Sequence, residues 1–332
     1  MIEALTRTVD DRMTGTPDVP SELRQYLETL LSEPSMPGIT RLTSTGMALL
    51  PDRLFETLAS REFCSLSLGR VTGCRDAVMA SVTRALHRVE PIHFYYGLGG
   101  GYATSMRSGT PRPVSEVGLA ELLLLRQVTR LAARVSQFYP VGIRFSLVID
   151  NLSAHLVEDV PVHDTLAYCR NLRRLVDDLG LPALTDLLVT SEYFSIADFA
   201  QMWPRGAGVP DIAALTNKSR GRASVPPHEA GEESARRRDA ARQAAERLLA
   251  PMIRGVNLTD RTTESLGFRP FPGGEASDER GEVVLTRAGR TALAPMRLTA
   301  ANHADYRVER HAVAGILPSS IVEMGYAERV RD

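Results

Sequence analysis

The sequence predicts an α/β fold: a mixed or mainly parallel sheet flanked by helices, with a helical N-terminal region ahead of it. Three observations predict it. Pro91-Ile92-His93-Phe94-Tyr95-Tyr96 is rich in strand formers and stops at Gly97-Leu98-Gly99-Gly100-Gly101. Residues 115–139 are rich in Leu, Ala and Arg and contain no proline. Gly142-Ile143-Arg144-Phe145-Ser146-Leu147-Val148-Ile149 is a buried-strand run, closed by Asp150-Asn151. Strand, glycine loop, helix and strand make a βαβ unit, and ligands of such sheets sit outside the strands' carboxyl ends. The glycine loop and Asp150 both fall at that edge.

The remaining elements follow in order. Residues 1–90 read as a helical N-terminal region: Ser21 caps a helix to Leu31, Pro37-Gly38 breaks the chain, and Pro51 opens a helix to Arg61. Residues 76–89 are periodic enough for another helix. Residues 91–332 read as the α/β catalytic domain. Within it, 162–179 is a helix ended by Gly180, with Asp164 near its positive end. Residues 184–189 are a short apolar strand, and Ser191-Glu192-Tyr193-Phe194 starts a turn or helix. The stretch 206–238, rich in Gly, Pro, Ser and charge, predicts a mobile loop or lid. A charged helix over 232–249 and a second loop over 271–281 come next. The last predicted strands are 295–299 and 306–313.

Composition excludes several classes. The chain has 332 residues, 43% of them hydrophobic, and a net charge of -1, so no global field draws it to nucleic acid or an anionic membrane. No apolar run reaches the roughly 18 residues of a membrane span. The first eleven residues carry acids and lack an apolar signal core, and Cys64, Cys74 and Cys169 form no CxxC pair. Both facts predict a cytoplasmic protein. Of 39 basic residues only Lys218 is lysine, in a polar segment. A Schiff-base lysine must be desolvated, so lysine-based covalent catalysis is not expected.

Candidate sites cluster at the strand ends. Gly97-x-Gly99 begins a dinucleotide fingerprint, but Tyr102 holds the third glycine position, and Gly109, Pro111 and Pro113 prevent a helix from opening at once. The loop is open to three readings: a nucleotide cradle, a plain chain reversal, or a place where backbone closely approaches a ligand. The last is preferred, with Gly99 and Gly100 as the approach points. Arg107 and Arg112 follow and can fork onto a phosphate or carboxylate. Asp150 is either a base or amine ligand, or a turn-forming Asx residue. The seven histidines have no metal-ligand spacing, so no metal is expected. His303 follows a strand and is an acid–base candidate.

A set of motifs runs across residues 90–313. Glu116 opens the long helix, and Phe138-Tyr139-Pro140-Val141-Gly142 precedes a strand. Ile149-Asp150-Asn151 ends that strand, and Val160-Pro161-Val162-His163-Asp164 with Tyr168 follows. Met252-Ile253-Arg254 and Met296-Arg297-Leu298-Thr299 come later. In order and spacing these resemble the pyoverdine/dityrosine biosynthesis family, which contains the amino-acid isocyanide (isonitrile) synthases. That family has Tyr-Pro-Pro-Gly before the strand, Asp-Gly at its end, and a later Arg-Leu-Ser-Ile-His-Pro. Three motifs differ here. Lys-Ser-Pro-Asn becomes Gly101-Tyr102-Ala103-Thr104-Ser105, Asp-Gly becomes Asp150-Asn151, and Ser-Ile-His-Pro becomes Thr299-Ala300-Ala301-Asn302, with His303 displaced by two positions.

The resemblance implies an enzyme of specialised metabolism that joins an amino acid's nitrogen to a carbon from ribulose 5-phosphate, without metal or organic cofactor. It implies that Asp150 and Glu116 engage the amine or assist proton transfer, and that Arg254 and Arg297 bind anionic groups. Tyr102 and Arg107 would shape the substrate loop. Two other functions remain open from the residues. One is a transferase using S-adenosylmethionine or NAD at the glycine loop. The other is a ligand-binding protein that keeps the scaffold without the chemistry.

Overall fold

The computed structural model describes residues 19–32, 49–65, 68–98, 103–105, 112–158, 160–204, 232–253, 255–259, 266–270, 281–288 and 292–330. Three helices come first: α1 (Ser21–Leu31), α2 (Leu50–Ala59) and α3 (Leu68–Arg88). Pro51 lies in the first turn of α2, where its missing N–H costs nothing. Leu23, Leu27 and Leu30 of α1 recur at helical spacing, and all three are buried.

The main sheet has four parallel strands in the order β5-β4-β1-β6. They are β1 (Ile92–Gly97), β4 (Ile143–Ile149), β5 (Thr185–Val189) and the short β6 (Val256–Asn257). A small antiparallel pair, β2 (Ala103–Ser105) and β3 (Arg112–Val114), follows β1. The helix α4 (Leu119–Ser136) then leads to β4. It starts later than the sequence predicts, because the Glu121 carboxylate accepts the Gly118 N–H at 2.8 Å and fixes the helix start there. Before β4, Gly142 takes a φ of 75°, a left-handed turn that glycine adopts without strain.

Between β4 and β5 run α5 (Asn151–Glu158) and α6 (Val162–Asp178). After β5 come α7 (Thr190–Tyr193), α8 (Ile196–Gln201) and α9 (Glu232–Leu249). Residues 232–238, the end of the predicted loop, thus belong to α9. Gly255 lets the chain cross onto β1: a Cβ there would meet the His93 carbonyl oxygen at 2.1 Å.

A second sheet has the order β8-β7-β10-β9. Its strands are β7 (Glu282–Ala288), β8 (Ala292–Leu298), β9 (Tyr306–Ala312) and β10 (Glu323–Arg329). The strands expected at 295–299 and 306–313 are β8 and β9, but they are not the last. β10 follows them and pairs parallel to β7 and antiparallel to β9.

One apolar core joins these parts. It runs from Leu23 and Leu54 through Phe94, Leu125 and Phe145 to Val283 and Tyr326. The N-terminal helices and both sheets therefore share it. A smaller cluster, centred on Phe199, Trp203 and Ala244, seats α9 on α5 and α8. Among the described residues no helix is long and apolar enough to cross a membrane.

Candidate functional site

Strand order in the main sheet reverses at β1. The chain moves out to β4 and β5, then crosses back to lay β6 on the other side of β1. Ligand crevices in open α/β sheets form at such a reversal, outside the carboxyl ends. Here Gly97 ends β1 and donates its N–H to Thr259 Oγ1 at 2.7 Å, just beyond β6. No helix follows β1 directly: β2 and β3 intervene before α4. A helix N-terminus aimed at a pyrophosphate is thus missing among the described residues, and a nucleotide cradle at this loop gains no support.

Asp150 stands two residues past Val148, the partner of Gly97. Its Oδ1 accepts the Ser153 N–H at 3.1 Å and so caps α5. The Thr190 hydroxyl lies 3.3 Å from the same oxygen and 3.1 Å from Asn151 Oδ1, so its single proton serves both. Asn151, only 2% exposed, also accepts the Ser191 N–H at 3.0 Å and donates to Ser191 Oγ at 2.8 Å. The Asp150-Asn151 pair therefore ties the end of β4 to the end of β5.

A second group lies where the two sheets meet. Arg297 of β8 pairs with Val283, a residue of the main core, and cross-strand partners share a face. Its guanidinium is within electrostatic reach of Tyr96, near the end of β1, and of Glu121, in the first turn of α4. Burial pulls the Arg297 pKa down, and those two groups push it back up. Glu121 is 8% exposed and Tyr168 2%. The Tyr168 hydroxyl donates to Glu121 Oε1 at 3.1 Å. Burial first, and the carboxylate second, hold this phenol well above the usual tyrosine range, so it stays a donor. The Tyr96 ring packs edge-on against Phe268, centroids 5.8 Å apart.

A third group crosses the other face of the main sheet. His93 Nε2 is 2.6 Å from Ser146 Oγ, and that hydroxyl donates to Asp186 Oδ1 at 2.8 Å. Ser146 is 1% exposed. Since its proton goes to Asp186, the serine oxygen accepts from His93, which fixes the Nε2–H tautomer. His93, Tyr95, Ser146, Leu188 and Ile253 line a narrow crevice with no room for a water-sized guest. The group lies four residues before Gly97, about 13 Å from the strand ends.

The other candidates scatter. Glu116 is exposed, and the cation it acts on is Arg310, which forks onto Glu282 at 2.6 and 2.8 Å. His303 begins a short 3-10 turn, half-buried, below β8. Asn302 shapes that turn by accepting the Thr299 N–H and donating to the Arg297 carbonyl. Gly99, Gly100, Tyr102, Arg107 and Arg254 lie outside the described residues, as do 206–231 of the predicted lid and most of the loop at 271–281. Among the described residues no three His, Cys, Asp or Glu side chains gather as a metal would need.

The fold has a known counterpart. The chain is similar to the PvcA protein from Pseudomonas aeruginosa, with a TM-score of 0.54 and 16% identity. The match covers 78% of this chain and 96% of PvcA. What it establishes is the fold. A tyrosyl-tRNA synthetase from Aeropyrum pernix overlaps at a TM-score of only 0.28, with 13% identity over 63% of this chain and 60% of that one. No family model and no curated protein matches the sequence.

Sequence reading passed over Glu121, Ser146 and Asp186. Glu121 had one visible signal: an acid three residues after Gly118, inside the run Leu119-Ala120-Glu121-Leu122-Leu123. Ser146 had a similar one, a hydroxyl in the middle of an otherwise apolar strand.

Proposed function

We propose that this chain is a divergent biosynthetic enzyme of the isocyanide-synthase type, acting on the amino group of an amino acid with a sugar phosphate such as ribulose 5-phosphate as carbon donor. The observation that carries the reading is the match to nearly the whole of PvcA, a protein of the pyoverdine/isonitrile synthase family. The motif order across residues 90–313 points the same way. The site geometry supports it further. Arg297 supplies a half-buried guanidinium for an anionic group, and Asp150 supplies a carboxylate for proton transfer at the neighbouring strand end. Tyr96 and Phe268 supply an aromatic wall.

The test is direct. Purified protein is incubated with L-tyrosine or L-tryptophan and ribulose 5-phosphate, and products are followed by mass and by the isocyanide infrared stretch. The expected outcome is joint consumption of amino acid and sugar phosphate with a new isocyanide or N-formyl product. Amino acid bound but never consumed would mark a ligand-binding protein on an enzyme scaffold.

A further inference from the structure

The second sheet ends on one side at β8 and on the other at β9. β8 carries Pro295, which has no N–H to offer a further strand, so that edge is blunted. β9 contains no proline. Its ladder to β10 fixes which groups face outward. The Val330 N–H bonds the Asp305 carbonyl at 2.9 Å, and the Val313 N–H bonds the Val322 carbonyl at 3.2 Å. Both pairs continue the β9–β10 register, and bonded and non-bonded pairs alternate along an antiparallel ladder. Arg307, Glu309 and His311 therefore turn their N–H and C=O groups toward β10. Tyr306, Val308, Arg310 and Ala312 turn theirs to the outside, and among the described residues no other backbone group bonds them.

Arg307 and Glu309 lie two apart on one face of this edge. Both are exposed, and neither joins an ion pair among the described residues. We propose that β9 pairs antiparallel with β9 of a second copy of this chain, around a two-fold axis at Val308. Val308 then meets its own counterpart as a hydrogen-bonded pair, and Tyr306 meets Arg310, so the outward N–H and C=O groups of all three are satisfied. Arg307 falls opposite Glu309 of the second copy, and Glu309 opposite that copy's Arg307. These are non-hydrogen-bonded pairs, whose Cα atoms come closest, about 4.5 Å apart. Opposite charges so placed attract, and like charges repel.

Other axes fit worse. One at Arg310 sets that arginine against itself, and one at Tyr306 runs the overlap into the 3-10 turn His303–Asp305. Charges on an edge strand ordinarily keep other strands away. Here the two signs alternate, so the strand they admit is a second copy of their own. The overlap is short for a stable interface, and the dimer therefore forms with rising concentration.

Sedimentation of the full chain over about 1–500 µM tests this. Wild type should pass from monomer to dimer across that range. Arg307→Glu sets like charges at both pairs and should weaken dimerisation at least about ten-fold, as should Glu309→Arg. The double variant Arg307→Glu/Glu309→Arg restores both pairs with the signs exchanged and should dimerise as wild type does. Mixing the two single variants should give a heterodimer, because each supplies the charges the other lacks. Val308→Pro removes an outward N–H that the β9–β10 ladder does not use. It should leave a monomer with the circular dichroism of wild type.

A wild type that stays monomeric throughout overturns the proposal and leaves the edge to a strand of some other protein. A dimer indifferent to both single variants overturns it too. So does a dimer that the single variants weaken but that neither the double variant nor the mixture recovers, since charge matching across the axis is the claim. Should Val308→Pro misfold, the mixture of single variants still decides.

Discussion

Tyr168 of α6 donates to Glu121 of α4 at 3.1 Å, deep inside the shared core. The bond joins two helices that flank the main sheet, and its acceptor is a carboxylate. Removing the hydroxyl with Tyr168→Phe leaves Glu121 Oε1 short of a donor where water cannot easily supply one. The expected cost is about 1–3 kcal/mol, the range for a lost hydrogen bond to a buried charged group. Urea unfolding checks it: the midpoint falls while the slope is unchanged. A midpoint equal to wild type would mean water already reaches Glu121.

His93 makes stability depend on pH. Burial lowers its pKa below the ordinary 6.5, and Arg144 adds to the drop while Asp186 opposes it. The unfolded chain therefore binds more protons than the folded one between the folded pKa and 6.5. Stability contributed by this group is present above that window and is lost as pH falls through it. His93→Gln should flatten that part of the profile in urea melts taken from about pH 5 to 7. Ser146→Ala should cost about 1–3 kcal/mol by stranding both of its partners. An unchanged slope in His93→Gln would place the titration on another group.

Val89 ends α3 in a conformation suited to glycine. Its φ is 54°, its N–H bonds the Leu86 carbonyl, and the Glu90 N–H bonds the Ala85 carbonyl. That is a helix-ending left-handed turn with a β-branched residue in its strained position. The side chain is 70% exposed, so little packing offsets the strain. Val89→Gly should stabilise the protein by about 1 kcal/mol, because relief of left-handed strain outweighs glycine's extra unfolded-state entropy. Thermal and urea midpoints should both rise. A drop in either would show that the valine methyl groups matter to a contact.

How much was legible follows from where the information lies. The β1–α4–β4 unit was readable because period and punctuation are local: Gly97 stops one strand and Gly142 starts the next. The predicted helices over 21–31, 162–179 and 232–249 match for the same reason. The second sheet was half readable. β7 and β10 lack the clean polar–apolar alternation that marks a half-buried strand, as in Glu282-Val283-Val284-Leu285, and they pair across an intervening β8 and β9. Nothing local marks that pairing. The site was less legible still. Tyr96, Glu121, Tyr168 and Arg297 come from four elements, and only the packing of the second sheet brings Arg297 to the others. Asp150 was readable as a strand-end acid, but its tie to Thr190 depends on the β4–β5 register.

Asp150 and Asn151 allow folding and chemistry to be separated at adjacent positions. Asp150 caps α5 through Oδ1, a task that asparagine does equally well. Asp150→Asn should therefore leave stability within about 0.5 kcal/mol, while Asp150→Ala loses about 1 kcal/mol. If the carboxylate transfers a proton, Asp150→Asn lowers kcat by about 10²–10⁴-fold with folding intact. Unchanged kcat would leave Asp150 a cap alone. Asn151 predicts the opposite split. Asn151→Gly deletes the side-chain bonds to Thr190 and Ser191. The Ser191 N–H loses its acceptor while the Thr190 hydroxyl keeps Asp150 Oδ1, so the variant should lose about 1–3 kcal/mol. Affinity for an amino acid should stay near wild type below the lowered melting point, because the buried Asn151 side chain is taken up by the strand-to-strand tie. Calorimetry and melting on the same two variants read both halves of the split.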